Sequence, residues 1–255
     1  MHRFFISQLD HITDEQLLVC SDYLINQFIR VLRFNAGEKI VAFDGSGHEW
    51  GVELTDLSVK KIIGRVFEKR LCETELPVRL VIACAILKNM ERFEFVLQKG
   101  TELGVSAFVP LITDRTERKV LGKTERLQRI LKEAAEQSGR GKVPELLDEC
   151  KFEKFLGKGE GDEDSGRKKE EGNPPAAGLI IVPHPGAVMK FSDLMKKCGK
   201  ISGEIVVCVG PEGGFTEREI KIAEESGAQL ISLGPRILRA ETVPLVVATM
   251  VGEWV

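Results

Sequence analysis

VVCVGPEGGFTEREI, residues Val206 to Ile220, sets a proline, two adjacent glycines and an ionisable glutamate directly behind a short, wholly apolar run. Thr216 followed by Glu219 has the spacing of a capping box, Ile220 and Ala223 continue an amphipathic helix, and Gly227 supplies its stop. The stretch therefore predicts strand, glycine loop, helix. In open α/β sheets ligands gather at such a place, because strand C-ends and helix N-termini leave backbone N–H groups aimed into a crevice.

Working outward, GLIIVPHPGA and AQLISLGPRIL are further buried strands on either side of this unit. VRLVIACAIL is a continuous apolar run of the kind buried on both faces. Asn89 then opens a helix carrying Phe93, Val96 and Leu97, Gly104 closes it, and VSAFVPLI is again a strand. That order is a βαβ unit and predicts a parallel sheet. Leu127, Ile130, Leu131, Ala134 and Ala135 share one face of a helix in TERLQRILKEAAEQSGR. The final ETVPLVVATMVGEW predicts a helix covered on most sides, with Thr242 as N-cap and Pro244 in its first turn. The first 75 or so residues differ: Thr13 with Gln16 predicts a capped helix, and alternating residues around Asp44-Gly45-Ser46-Gly47 predict a β-hairpin. KKIIGRVFEK adds a strand, giving a small, mostly β module. Gly157 to Gly178 is glycine-rich, charged and without aromatics, and predicts a mobile insertion.

A chain of 255 residues with 43% hydrophobic content buries a large core in one or two domains. It contains no uninterrupted apolar stretch of membrane-spanning length, and charges fall inside its first ten residues, which points to a cytosolic address. The six cysteines are scattered without C-x-x-C or zinc spacing, so they are expected to be reduced core residues and no metal is expected. The net charge of −3 argues against a general nucleic-acid coat, yet Asp114 to Lys142 holds nine Lys/Arg against five Asp/Glu. That stripe either follows a phosphate backbone or is a solvated helix face with i,i+4 pairs.

Gly122-Lys123-Thr124 resembles the end of a phosphate-binding P-loop, but Glu117 stands where the first glycine belongs. Gly210-Pro-Glu-Gly213-Gly214 lacks the dinucleotide spacing and has a proline where an amide donor is wanted. A better reading joins three loops: VPHPG, VGPEGGF and SLGPRIL each put a proline directly after a buried strand. Proline fixes φ and glycine admits close main-chain approach, so these turns predict a stiff backbone cup suited to an adenine edge.

Four stretches, LVIACAILKNMERFEFVLQKGTELGV, EAAEQSGR with VPEL, VCVGPEGGFTEREI and LGPRILRAET, resemble the RsmE-type small-subunit ribosomal RNA uridine-N3 methyltransferases of the SPOUT class. The likeness extends to MHRFF and VLRFNAGEKIVAFDGSG, similar to PUA-type RNA-binding modules. It implies an α/β fold: a PUA-like β-barrel at 1–74, then a parallel-sheet methyltransferase domain at 75–255 with a trefoil knot and an insertion at about 157–178. It also implies S-adenosylmethionine as cofactor, a homodimer, and methylation of a uridine at N3 in 16S-type RNA. Alternatives are a related enzyme with another RNA target, or a noncatalytic ribosome-assembly factor.

On this resemblance the cofactor is expected against Pro183, His184, Gly210, Pro211, Glu212, Gly213, Gly214, Leu233, Gly234, Ile237, Leu238 and Thr242. Methylating an imide nitrogen spreads negative charge onto two carbonyl oxygens, which calls for a nearby cation. Arg239 is the first candidate, beside Glu241; the two either serve the chemistry or simply pair to hold the loop. Glu212 either contacts the cofactor or braces the loop from a helix N-terminus, and His184 offers backbone rather than base. Glu136 and Arg140 are candidates for the active site from a partner subunit. Arg115, Arg118, Lys119, Lys123 and Arg126 are the RNA-binding candidates.

Overall fold

The computed structural model describes residues 1–7, 9–157, 178–199, 201 and 203–255, so the charged insertion lies outside the described residues. The described chain forms two compact units, Met1–Glu75 with Ala135–Val143, and Leu76–Ala134 with Pro144–Val255.

In the first unit β1 (His2–Phe5), β2 (His11–Ile12) and β3 (Gln16–Val19) precede a short helix, α1 (Asp22–Asn26), which runs into a π-helical turn at Gln27–Val31. Then come β4 (Lys39–Phe43), β5 (His48–Leu57) and β6 (Ile62–Leu71). They form one mixed sheet in the order β1-β4-β5-β6-β3-β2, with β1 parallel to β4 and the other pairs antiparallel. Register shifts in β5 at Gly51/Val52 and Leu54/Asp56 bend the sheet into a half-barrel around Phe4, Leu17, Phe28, Ile40 and Val52. The hairpin turn falls at Asp44–Gly47, where Gly45 and Gly47 both take φ +88°.

The helix expected at Thr13 is instead the turn of a hairpin. The Thr13 hydroxyl does accept from Gln16 N at 3.1 Å, but Thr13 N also donates to Gln16 O at 2.9 Å, which closes the β2–β3 connection. Leu17 and Val19 are buried and Leu18 less so, a period of two that outweighs the capping signal.

Glu49 is nearly enclosed between Arg3, at 2.5 Å, and Arg70. Burial alone would push its carboxyl up, but the hydrogen bonds and charges of the two guanidiniums outweigh that and hold it below the ordinary range. A depressed carboxyl stabilises the fold fully above its unfolded pKa and loses that contribution as the pH falls towards the folded value. Thermal midpoints read from Trp50 fluorescence in a Trp254→Phe background are therefore expected to fall below about pH 4.5, and less steeply in Glu49→Gln.

The second unit begins with β7 (Arg79–Ala85), α2 (Met90–Glu102) and β8 (Ala107–Ile112), continues through α3 (Thr124–Ser138), and adds β9 (Glu145–Leu146), β10 (Cys150–Lys151) and α4 (Phe152–Phe155). It ends with β11 (Leu179–Pro183), α5 (Phe191–Cys198), β12 (Glu204–Val209), α6 (Glu217–Glu225), β13 (Gln229–Ile231) and α7 (Thr242–Trp254). The last residues of α3 and the loop to Val143 group with the first unit. The sheet runs β10-β8-β7-β12-β11-β13, with β9 also beside β8, and every pair is parallel. This is the parallel sheet the apolar runs predict.

Alternation along β7 divides the core. Val81 and Ala83 join Val206, Cys208, Phe152, Phe215 and Ala223 under α4 and α6. Leu80, Ile82 and Cys84 face the opposite way, where α7 packs on β7, β12 and α2. A Cβ on Gly100 of α2 would stand 2.8 Å from the Phe108 ring, so glycine here lets the helix approach β8 closely. The Asn89 side chain caps α2 by accepting from Glu91 N at 2.9 Å, and Gly104 at φ +87° ends it. The capping box of α6 is complete, with Thr216 and Glu219 each accepting the other's N–H.

Two expectations need correction. Thr242 is not the cap of α7 but its first residue: Thr242 N donates to Arg239 O at 2.9 Å, which draws Thr242 into the first helical turn and leaves Glu241 at the N-cap position, without a side-chain cap. The cysteines are all free, but only Cys84 and Cys208 are buried, while Cys20 and Cys198 are exposed. Burial pushes the Cys84 thiol up to about 12.

Candidate active site

The neighbouring strands β13, β11 and β12 end together, so the three proline-containing loops leave the sheet side by side. Pro183 to Pro185, Val209 to Phe215, Leu233 with Gly234, and Arg236 to Glu241 line one cavity of about 470 Å³, completed by Arg92 and Val243. Each loop is tied to itself or to its neighbour. His184 N donates to Ile231 O at 2.9 Å, which joins the first loop to β13. Gly214, at φ +67°, closes a turn by donating its N–H to Pro211 O at 2.8 Å. Gly234, at φ +103°, donates to Ser232 Oγ at 3.3 Å.

Of the residues expected around a cofactor, Pro183, His184, Gly210, Pro211, Glu212, Gly213, Gly214, Leu233, Gly234, Ile237 and Leu238 all line this cavity. Thr242 does not, although the next residue of α7, Val243, does. Gly210 is the tightest point: a Cβ there would lie 3.1 Å from Gly214 C and Phe215 N, main-chain atoms with no rotamer to yield. Glu212 accepts from Lys88 N at 3.2 Å, linking the glycine loop to the β7–α2 connection. His184 Nδ1 accepts from Gly186 N at 3.1 Å, so that lone pair is used within its own turn.

Arg239 and Glu241 both line the cavity, but the ion pair is not between them. Glu241 Oε1 lies 3.5 Å from Arg92 Nε, with the Glu241 side chain only 14% exposed. Its other oxygen, Oε2, is buried without a hydrogen-bond partner. A buried carboxylate oxygen left empty is costly, and a donor on a bound molecule would satisfy it. Arg92 is the residue the sequence reading misses. Its one signal is a cation in the first turn of α2, where the helix dipole favours an anion. Arg239, exposed on its loop, is left as a cation facing the cavity.

Glu136 and Arg140 are not among the cavity's lining residues. Both are engaged within the first unit: Glu136 Oε1 accepts from Phe5 N at 3.0 Å, and Arg140 Nη2 pairs with Glu75 Oε2 at 2.5 Å. Among the described residues no cluster of His, Cys, Asp or Glu is arranged to hold a metal ion, and no helix is long and apolar enough to cross a membrane.

Residues 74–252 match the model of an RNA methyltransferase domain, and residues 28–67 that of an RNA methyltransferase PUA domain. The chain belongs to the RNA methyltransferase domain family. Within the family it is similar to Ribosomal RNA small subunit methyltransferase E of Bacillus subtilis, at 32% identity over 96% of this chain and 93% of that one. The Synechocystis protein of the same name is 38% identical over 85% of this chain and 66% of its own length. Among solved structures, Ribosomal RNA small subunit methyltransferase E from Neisseria gonorrhoeae, bound to S-adenosyl methionine, has a TM-score of 0.82 at 30% identity, covering 98% of this chain and 96% of that one.

For an RNA methyltransferase, free cations matter as phosphate contacts. The structure divides the basic candidates. Arg126 forks onto Glu94 at 2.7 and 3.0 Å, which neutralises it on the helix surface. Arg115 donates to main-chain carbonyls of the glycine loop. Arg118, Lys119 and Lys123 stay exposed in the segment leading to α3.

Proposed function

We propose that this RNA methyltransferase takes S-adenosylmethionine into the cavity between the β11, β12 and β13 loops and methylates N3 of a uridine in small-subunit ribosomal RNA. The observation that carries the reading is the convergence of the turns at Pro183, Gly210 and Gly234 on one cavity, in a chain whose whole length resembles a relative bound to that cofactor. The residues present fit such a ligand: Gly210 lets the glycine loop fold tightly back on its own main chain beside the cavity, and Glu241 Oε2 offers an unused acceptor.

When bound, the cofactor supplies an electrophilic sulfonium methyl. The chain's own residues do the rest. The glycine and proline loops hold the ligand's flat and polar parts by main-chain groups, and Glu212 keeps the glycine loop tied to the β7–α2 connection. Arg239 supplies positive charge where uracil carbonyl oxygens become anionic. Arg92 fixes Glu241 so that Oε2 faces bound donors. His184 contributes main chain and ring surface, since its Nδ1 is occupied. Fixing the partners in one cavity contributes by orientation as well.

In this reading residues 1–74 grip RNA and 75–255 carry the reaction, along the knotted path implied by the likeness to SPOUT enzymes, in the cytoplasm. The enzyme works as a homodimer. In support, α7 leaves Leu245, Val246 and Met250 only half-buried, and an apolar groove lies between Val188, Phe191, Met250 and Trp254. A second copy would cover that surface, while Glu136 and Arg140 remain held by Phe5 N and Glu75. Sedimentation is expected to give twice the mass of one chain. The function itself is tested by incubating the protein with methyl-labelled cofactor and small subunits that lack the modification. Label in uracil N3 is expected; label elsewhere would mean another target, and no label a binding factor without catalysis.

A further inference from the structure

The loop that follows β8 carries more structure than a phosphate-binding strip needs. Thr113 N donates to Thr116 Oγ1 at 2.9 Å inside a buried turn. Asp114 N donates to Glu219 Oε1 at 2.9 Å, while Glu219 Oε2 accepts from Thr216 N at 2.8 Å. Thr216 Oγ1 and Arg218 Nη2 both reach the Asp114 carboxylate, at 3.1 Å each, and Arg218 also holds Glu153. Glu219 is only 1% exposed, so its carboxylate is a fixed post between the β8 loop and the start of α6.

From that platform Arg115 extends over the glycine loop. Its Nη1 donates to Gly213 O at 2.6 Å and to Phe215 O at 3.4 Å. The two carbonyls flank Gly214, the left-handed residue at which the loop reverses. The arginine stem lies against Gly213 as well, since a Cβ there would stand 3.2 Å from Arg115 Cδ. A cationic donor shared by two carbonyls across a reversal holds that reversal in one shape.

We propose that Arg115 is a positioning residue for the cofactor loop and not an RNA contact. It rests on the reading of the cavity as an S-adenosylmethionine site. The guanidinium holds the main chain of Gly213 to Phe215 in the shape the ligand meets, so less order is lost on binding.

Calorimetric titration with S-adenosylmethionine tests this. Arg115→Ala is expected to raise Kd about tenfold, or ~1.4 kcal/mol, with the thermal midpoint little changed. Arg115→Lys, which keeps one donor for Gly213 O, should recover part of the loss. KM for the cofactor should rise while kcat and KM for RNA stay close to their starting values, and Arg118→Ala should leave cofactor Kd alone. Should Arg115→Ala fail to fold, Gly213→Ala displaces the arginine stem and should weaken binding in the same direction. Unchanged cofactor Kd in Arg115→Ala would overturn the proposal, and weaker RNA binding with a shallower salt dependence would return Arg115 to the phosphate contacts. If the unaltered protein bound no S-adenosylmethionine, the parent reading would fall and this one with it.

Discussion

Gly210→Val is expected to weaken S-adenosylmethionine binding by about 5- to 150-fold while leaving the protein folded. The glycine sits where β12 enters the loop, and even one added carbon would press on Gly214 C and Phe215 N at 3.1 Å. Both atoms are main chain, so relief requires the whole turn closed by Gly214 N and Pro211 O to move. That turn forms part of the cavity wall. Overpacking of this kind costs about 1–3 kcal/mol locally. If the cost falls on the loop's bound shape, affinity drops by about 5- to 150-fold. Calorimetry should show a Kd raised within that range, with circular dichroism unchanged. Gly213→Ala should be much milder, because the neighbour its Cβ meets is the flexible stem of Arg115. Equal binding by Gly210→Val and the unaltered protein would place the ligand elsewhere.

Arg239→Ala should have the opposite signature, with turnover lost and affinity kept. Arg239 is exposed at the cavity, and Glu241, the acid that might have occupied it, is paired with Arg92 instead. Its charge is therefore available to a substrate that becomes anionic. Removing one such donor from an active site lowers kcat by about 10²- to 10³-fold. Single-turnover transfer to unmodified small subunits should show that loss, with cofactor Kd within about threefold of its starting value. Arg236→Ala provides the comparison, since Arg236 also lines the cavity; a similar kcat loss there would mean that general positive charge, not one placed guanidinium, is what matters. A tenfold weaker Kd with unchanged kcat would assign Arg239 to holding the cofactor.

The two predictions differ in how far the sequence alone could have led to them. Gly210 is legible because a strand, a Gly-Pro step and a capping box are all local signals: φ restriction, apolar run length and N–H satisfaction depend on neighbours within a few positions. The same locality made β7, β8, β11, β12 and β13 readable, and with them the set of loops that could share a cup. Where two local signals conflicted, as at Thr13, the capping pattern misled, because the same hydroxyl contact serves a hairpin turn.

What the sequence by itself determined is the series of buried strands, the stiff turns at their ends and so the kind of ligand-binding edge the sheet would present. Only the tertiary structure decided the pairings of the charged groups: Glu241 with Arg92 rather than Arg239, Arg115 with the Gly213 carbonyl, Arg126 with Glu94, and Glu136 with Phe5 N. The partners in those contacts stand 32 to 149 positions apart, except that Arg239 and Glu241 are near neighbours that do not pair. An ion pair acts over a few ångströms through space, and no local propensity records which helix or loop the packed core will bring within that distance.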